Sequence, residues 1–242
     1  QAVAALAYGT ESVPRVDKIV GPGGPWVTAA KLAVYGDCAI DLPAGPSEAL
    51  LVVDRSADPE IAAADLLCQA EHGEESPVVL VVTAPAIAAG VLERAERRVQ
   101  GLEREKTIRL ALETQGMVVV ADGIEDALAF ADEWAPEHLT LHVADARGAA
   151  ASVTAAGSVF VGRWTPESAG DYATGANHVL PTGGLARAAG PLSVEDFGSW
   201  RQVQTLDRRG LEALAPVIRT LAAAEGLTAH AACVDARFEE AT

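Results

Sequence analysis

The stretch ALLVVDRSADPEIAAADLLCQAEHGEESPVVLVV, residues 49–82, decides the fold. Two apolar runs typical of buried strands, Ala49–Val53 and Val78–Val82, flank the helical pattern of Pro59–Ala70. Asp58 precedes that pattern as a potential N-cap, and a proline occupies its first position, where helices tolerate it. A strand, a helix and a second strand in this order predict a parallel βαβ unit.

The same alternation continues along the chain. We predict further strands at Met117–Ala121, His138–His142 and Ser158–Val161. We predict helical segments at about Pro85–Glu113, Glu125–Glu133 and Ala144–Ala155. The expected fold class is therefore α/β, with a Rossmann-like, doubly wound and mostly parallel sheet that is incomplete.

Three regions follow from these patterns. Residues 49–192 form the main α/β domain, whose last part, Gly162–Leu192, is rich in Gly, Pro, Ser and Thr and is expected to be irregular and functional. Residues 1–48 resemble the remnant of a second Rossmann-like domain. Residues 193–242 are expected to form a small helical tail, because Leu211–Ala224 has apolar residues at helical spacing.

Composition narrows the classes of partner. Half of the 242 residues are hydrophobic, which is enough for a buried core, and the net charge is −16. Such an acidic chain is a poor partner for nucleic acid. No apolar run is long enough to cross a membrane, and three cysteines without CxxC spacing predict reduced thiols, so we expect a cytoplasmic protein.

The first candidate site is QAEHG, residues 69–73, at the end of the predicted helix. Gln69 and His72 are three residues apart and would share one helical face, so both could reach one ion. The alternative is a histidine that only interacts with the carboxyl end of the helix.

The second candidate is APEHLTLH, residues 135–142, where Glu137 and His138 stand at the start of a strand. Adjacent Glu and His could serve as two separate general bases. The alternative is a surface acid beside a half-buried histidine.

Other polar clusters occur in loops and near the carboxyl terminus. The stretch TPESAGDYATGANHVLPTGG, residues 165–184, contains Glu167, Asp171 and His178, which could converge on a metal or a polar substrate or could belong to capped turns. Ser47 lies in the Gly/Pro-rich loop DLPAGPSE, and Glu225 and His230 flank a predicted helix end. The dinucleotide fingerprint GxGxxG is absent from the sequence.

These motifs, taken in order, resemble histidinol dehydrogenase. The strings KIVGPGG, DLPAGPSE, LLCQAEHG, APEHL, GSVFVG, TPESAGDYATGANHVLPT and AAAEGLTAH carry the resemblance over nearly the whole chain. The resemblance implies oxidation of L-histidinol to L-histidine in two NAD-dependent steps through an aldehyde. It also implies one zinc ion per subunit and a homodimer, in which the tail would reach the other subunit.

The resemblance also assigns roles to residues. Zinc would be bound by Gln69, His72 and Asp171 of one subunit and by His230 from the partner's tail. Glu137 and His138 would be catalytic, His138 as the proton-transfer base and Glu137 as the base that activates water. Substrate contacts would be made by Ser47, Gln69, His72, His138, Asp171, His178, Glu225 and His230, and Gln1 and Gly24 would contact NAD.

Two features depart from the family pattern. The family chain is considerably longer, so we expect that the amino-terminal portion is missing here and that this chain alone does not turn over histidinol efficiently. Gly24 stands where the family typically has Asn, which removes an amide side chain from the NAD site. Three alternatives stay open: a dehydrogenase of another amino or hydroxy alcohol, a zinc hydrolase, and a non-catalytic interaction domain.

Overall fold

The computed structural model describes residues 1–239. Helices and strands alternate along most of the chain, in the order α1 Ala2–Tyr8, β1 Lys18–Ile19, α2 Pro25–Val34, β2 Ala39–Ile40, β3 Ala49–Val53, α3 Pro59–Ala70, β4 Val78–Val82, α4 Pro85–Val99, α5 Glu105–Gln115, β5 Gly116–Val120, α6 Ile124–Trp134, β6 His138–His142, α7 Ala146–Ser152, β7 Ser158–Val161, α8 Glu167–Tyr172, α9 Arg208–Ala224 and α10 Thr228–Asp235.

The main sheet has the strand order β5-β4-β3-β6-β7, and every neighbouring pair in it is parallel. The first strand in sequence, β3, lies in the middle, with Ala49 paired to Val78 on one side and to His138 on the other. The chain therefore reverses its direction of winding between β3 and β6, as in Rossmann-like folds.

Helices cover both faces of this sheet. One core cluster joins alternate strand residues such as Leu51 and Leu80 to α3, α4 and α5. The other cluster joins the intervening residues, such as Leu50 and Leu139, to α6 and α7. Because successive side chains of a strand point to opposite faces, the continuous apolar runs fill both cores. The predicted doubly wound α/β class is confirmed.

The side-chain alternation also directs polar residues of β6 toward α3. His138 and His142 pair with Ala49 and Val53, whose side chains pack on the α3 side of the sheet. His142 is buried there and its Nε2 lies 2.6 Å from Asp65 Oδ2 on α3. The pair of Asp65 and His142 thus joins helix α3 to the carboxyl end of strand β6.

The amino-terminal segment adds a small parallel sheet. Strands β1 and β2 pair in parallel through the crossover helix α2, with Ile19 opposite Ile40 in a separate small core. The chain divides into two compact units, residues 1–198 and residues 199–242, and the second unit holds the helical pair α9 and α10. Within residues 1–239, no helix is long and apolar enough to cross a membrane.

Two predicted segments differ from the structure. The sequence predicts one helical stretch over Pro85–Glu113, but this region is divided into α4 and α5 because Gly101 adopts a φ of +78° in the connection. The sequence predicts an irregular segment over residues 162–192, but these residues contain the short helix α8 and a 3-10 turn at Leu185–Arg187.

Candidate active site and metal centre

The candidate site lies at the amino ends of β3 and β6. Glu48 precedes β3 and Glu137 precedes β6, and the backbone N–H of His138 donates to the carbonyl of Glu48. This is the edge of the sheet opposite to the carboxyl ends of the strands, where open parallel sheets usually bind ligands. The carboxyl end of α3, with Gln69 and His72, reaches the same edge because the helix runs antiparallel to the strands.

Glu137 is held by two donors from the loop before β3. Its Oε2 accepts from Ser47 Oγ at 2.7 Å and from the backbone N–H of Glu48 at 3.0 Å. The side chain is nearly buried, and this desolvation raises the pKa of Glu137 to about 7, although the two hydrogen bonds oppose the shift. A carboxyl group in this range can accept a proton near neutral pH.

His138 is buried next to a second imidazole. Burial, together with the nearby His72, lowers the pKa of His138 to about 4, so the ring is neutral at pH 7. The ring centroid lies 6.5 Å from that of His72 and 5.7 Å from that of Phe160. Among the described residues its Nδ1 has no hydrogen-bond partner. The ring is therefore fixed by packing and free to exchange a proton.

Three side chains could hold a metal ion. Ligand atoms of His72, Glu167 and Asp171 all lie within 4.8 Å of one another. Gln69 is fully buried next to them, and its Oε1 has no hydrogen-bond partner within residues 1–239. A buried acceptor without a partner is costly. The nitrogen and oxygen donors of His72, Glu167 and Asp171 suit a metal ion such as zinc, and Gln69 Oε1 is a further buried acceptor at the same helix end.

The sequence places Glu167 in a polar cluster without assigning it a specific role, and in the structure it lies at the centre of the metal-capable cluster. Its carboxylate oxygens lie 3.7 Å from Nδ1 of His72 and 3.7 Å from Nδ1 of His138. Burial, with Asp171 and Glu137 nearby, raises the pKa of Glu167 to about 8. The signal that could have found it is the Glu-x-x-x-Asp spacing after Pro166, which places Glu167 and Asp171 on one face of α8.

These residues open into one cavity of about 520 Å³. It is lined by residues of five segments of the chain, among them Ser47, His72, Glu137, His138, Asp171 and His178, together with Pro22, Gly23, Ala44 and Gly45. The volume suits a small polar molecule or part of a larger one. The predicted site residues of the first unit thus line a common space, except for Gln1, Gly24 and the fully buried Gln69.

The remaining predicted residues lie elsewhere. Gln1 is exposed at the start of α1, and Gly24 is exposed at the start of α2, one residue beyond the cavity lining. Glu225 and His230 belong to the second unit, where Glu225 ends α9 and His230 lies exposed in α10. The metal, catalytic and substrate roles of all these residues stay predictions.

Comparisons with known proteins identify the family. The sequence profile of histidinol dehydrogenase matches residues 1–238. The histidinol dehydrogenase of Halobacterium salinarum is 51% identical over 241 residues, which cover 99% of this chain and 57% of that protein. The histidinol dehydrogenase of Escherichia coli is 49% identical over 240 residues, which cover 98% of this chain and 55% of that protein.

This chain belongs to the histidinol dehydrogenase family. The resemblance seen in the sequence is therefore confirmed. The crystal structure of the histidinol dehydrogenase from Elizabethkingia anophelis superposes with a TM-score of 0.94 at 43% identity, over 98% of this chain and 55% of that one. The chain thus spans about half the length of its relatives in the histidinol dehydrogenase family.

A more distant match shows the fold alone. The propionaldehyde dehydrogenase of Rhodopseudomonas palustris is 18% identical, with a TM-score of 0.50 over 80% of this chain and 55% of that one. This chain and that protein share an α/β framework. No statement about ligands follows at such low identity.

Proposed function

We propose that this chain carries the metal-binding and catalytic part of a zinc-dependent, NAD-linked histidinol dehydrogenase. The reaction would be the four-electron oxidation of L-histidinol to L-histidine through the aldehyde, in histidine biosynthesis. One observation carries the proposal: a neutral buried imidazole, a carboxyl group with a raised pKa and a metal-capable cluster border one cavity. Family membership supplies the substrate.

His138 is the proposed base of the first oxidation. Because its pKa is lowered to about 4, the ring is unprotonated at neutral pH and can accept the hydroxyl proton as a hydride leaves the carbinol carbon. Phe160 and His72 hold the ring in place on two sides. Oxidation of the alcohol then yields the aldehyde with one proton on the enzyme.

Glu137 is the proposed base of the second oxidation. It would take a proton from water as the water oxygen adds to the aldehyde carbon, which gives the monoanion of the hydrated aldehyde; transfer of the second hydride from that carbon to NAD would then leave the carboxylic acid. A pKa of about 7 lets the group alternate between its two protonation states near neutral pH. Ser47 and the amide of Glu48 hold the carboxylate beside His138.

Gln69, His72 and Asp171 are the proposed zinc ligands in this chain, with His230 contributed by a second copy in a homodimer. When bound, zinc would orient the amine and imidazole nitrogens of the substrate, and NAD would accept the two hydrides. Ser47, His178 and Glu225 are the further proposed substrate contacts, and Gln1 and Gly24 the proposed NAD contacts. A cytoplasmic location follows from the same proposal.

The test uses the purified 242-residue chain loaded with zinc. We expect it to bind L-histidinol by calorimetry and to lose that binding when the metal is removed by a chelator or when Asp171 is replaced by Asn. An inactive chain that still binds histidinol through zinc supports the proposal, since we expect inefficient turnover without the rest of the family's length. Histidinol binding that is independent of zinc contradicts it.

The glycine at position 24 favours a second candidate function. Gly24 lacks the amide side chain that the family typically places at this point, so a dehydrogenase acting on another amino or hydroxy alcohol is the alternative. A panel of amino alcohols without the imidazole ring decides between the two. Tighter binding of any of them than of histidinol favours the alternative.

A further inference from the structure

A buried ammonium group holds together two loops beside the cavity. Lys31 on α2 is only 4% exposed and donates to the carbonyls of Gly21 and Leu42, at 3.0 Å each. It also forms an ion pair with the buried carboxylate of Asp41. The three hydrogens of the ammonium group thus have three acceptors. Asp41 in turn accepts from the backbone N–H of Gly21 at 2.7 Å.

This ion pair is better suited to fixing geometry than to adding stability. Taking both charges out of water costs about as much as their attraction returns, so buried ion pairs often contribute little net stability. Here the pair instead links two chain segments, because Lys31 donates hydrogen bonds to the backbone carbonyls of Gly21 and Leu42 and Asp41 accepts one from the backbone N–H of Gly21. We call the segments 21–24 and 42–45, joined by Lys31 and Asp41, the outer wall.

The outer wall borders the cavity directly. Gly23 and Gly45 line it, each within four residues of a backbone group that Lys31 binds. A second layer of bonds continues the wall: Thr28 Oγ1 donates to the carbonyl of Ala44, and Gly45 N–H donates to Thr182 Oγ1, both at 2.5 Å. Both loops are therefore held by side chains that are themselves anchored in neighbouring elements.

The wall is separate from the catalytic pair. Glu137 is held by Ser47 and Glu48, and among residues 1–239 no hydrogen bond joins Lys31 or Asp41 to Glu137 or His138. At Gly24 the wall leaves open space, since a Cβ added there would meet no atom within 4 Å. A glycine backbone at this point allows a ligand to approach closely.

We propose that Lys31 and Asp41 are positioning residues that hold the outer wall in the shape that receives the dinucleotide. This inference rests on the proposed function for the identity of that ligand. The two residues act only through the loops, so their loss affects dinucleotide affinity and leaves the metal cluster intact. A wall free to move must be ordered on binding, and that cost appears as weaker affinity.

The test compares Lys31→Met and Asp41→Asn with the unsubstituted chain, all loaded with zinc. Titration with NAD is expected to give a Kd raised about tenfold in each variant, because the wall must be ordered on binding. The Kd for zinc is expected to stay within about twofold, since the ligands are untouched. Lys18→Met is the matched control, because the Lys18 ammonium group pairs with Asp196 and with no group of segments 21–24 or 42–45 among the described residues, and its NAD affinity should not change.

A variant that fails to fold is replaced by Lys31→Met/Asp41→Leu, in which apolar side chains fill the same space. Amide hydrogen exchange of residues 21–24 and 42–45 is expected to be faster in each folded variant. Unchanged NAD affinity in folded variants overturns the inference. Absence of NAD binding by the unsubstituted chain instead overturns the assignment of this wall to the dinucleotide, and unchanged exchange of the two loops overturns the positioning role itself.

Discussion

Ser47 Oγ donates a hydrogen bond of 2.7 Å to the carboxylate of Glu137, across 90 residues of sequence. Gln69 Nε2 lies 3.4 Å from the same hydroxyl. The loop before β3, the end of α3 and the start of β6 are thus joined through one serine. The hydrogen bond favours the charged form of Glu137 and partly offsets its desolvation.

Replacement of Ser47 by Ala is expected to raise the pKa of Glu137 above about 7, because a donor to the carboxylate is lost while burial remains. Carbon-13 NMR of the glutamate carboxyl groups in metal-free protein measures this shift. Ser56→Ala is the control, since Ser56 Oγ donates to Asp54 at the opposite edge of the sheet. A lower Glu137 pKa in Ser47→Ala would contradict the assignment.

Loss of a metal ligand is expected to weaken zinc binding strongly. We expect His72→Asn and Asp171→Asn each to raise the Kd for zinc by at least about 100-fold, because each removes one coordination bond from a small donor set. Competition with a chromogenic chelator measures the Kd. Asp122→Asn removes an exposed carboxylate far from the cluster in sequence and should leave it unchanged. Equal affinities in all three variants would exclude this metal site.

Zinc binding is expected to release a proton from Glu167. At pH 7 its carboxyl group is mostly protonated, because burial and neighbouring carboxylates raise its pKa to about 8. A cation beside it favours the charged form, so about one proton leaves per zinc bound. Calorimetry in buffers of different ionisation enthalpy counts the protons. Glu167→Gln should lower the count, and an unchanged count would contradict the prediction.

The metal-free protein is expected to lose stability as pH rises from about 4.5 to 8. Glu137 and Glu167 ionise at about 7 and 8 when folded, against a usual value of 4.5, so the unfolded state loses its protons first. His138 acts in the other direction: its folded pKa of about 4 lies below the usual 6.5, so its contribution falls as pH drops through that interval.

The free energy of unfolding of metal-free protein should therefore be greatest near about pH 4 to 4.5 as far as these three groups decide it, and it should fall toward pH 8, most steeply just above pH 6.5, where His138 no longer offsets the two carboxyl groups. Urea titrations at several pH values measure it. In Glu167→Gln, which mimics the protonated carboxyl, the decline toward pH 8 should be shallower. A slope identical to that of the unsubstituted protein would show that Glu167 ionises normally.

The buried pair of Asp65 and His142 is expected to matter for stability and not for metal binding. Asp65→Ala leaves the buried imidazole without its partner at 2.6 Å and should cost about 3 kcal/mol of unfolding free energy. The double variant Asp65→Leu/His142→Phe should recover most of that loss. Zinc affinity serves as the internal control, and a large change in it would show that the pair supports the metal cluster.

Much of the framework was predictable because it depends on local pattern. The strands Ala49–Val53, Val78–Val82 and His138–His142 and the helix Pro59–Ala70 have the predicted bounds. Apolar runs, a capping Asp58 and proline at the helix start act within a few residues of sequence. Likewise, the three-residue spacing of Gln69 and His72 was enough to place both at one helix end.

Other parts of the site depend on contacts that no local pattern encodes. The role of Glu167 was missed because α8 is a six-residue helix in a stretch rich in Gly and Pro. Its burial arises from packing against α3, more than 90 residues earlier. The pairing of Lys31 with Asp41 was equally invisible, since a lysine in an amphipathic segment usually faces water.

The sequence by itself determined the α/β class, the order of strands and helices, and the family. These depend on short-range periodicity and on motifs that are legible residue by residue. Only the tertiary structure decided that Ser47, His72, Glu137, His138 and Asp171 border one cavity at the amino ends of the strands. It also decided which groups are buried, and burial changes the pKa values of Glu137, His138 and Glu167, because desolvation depends on everything packed around a side chain.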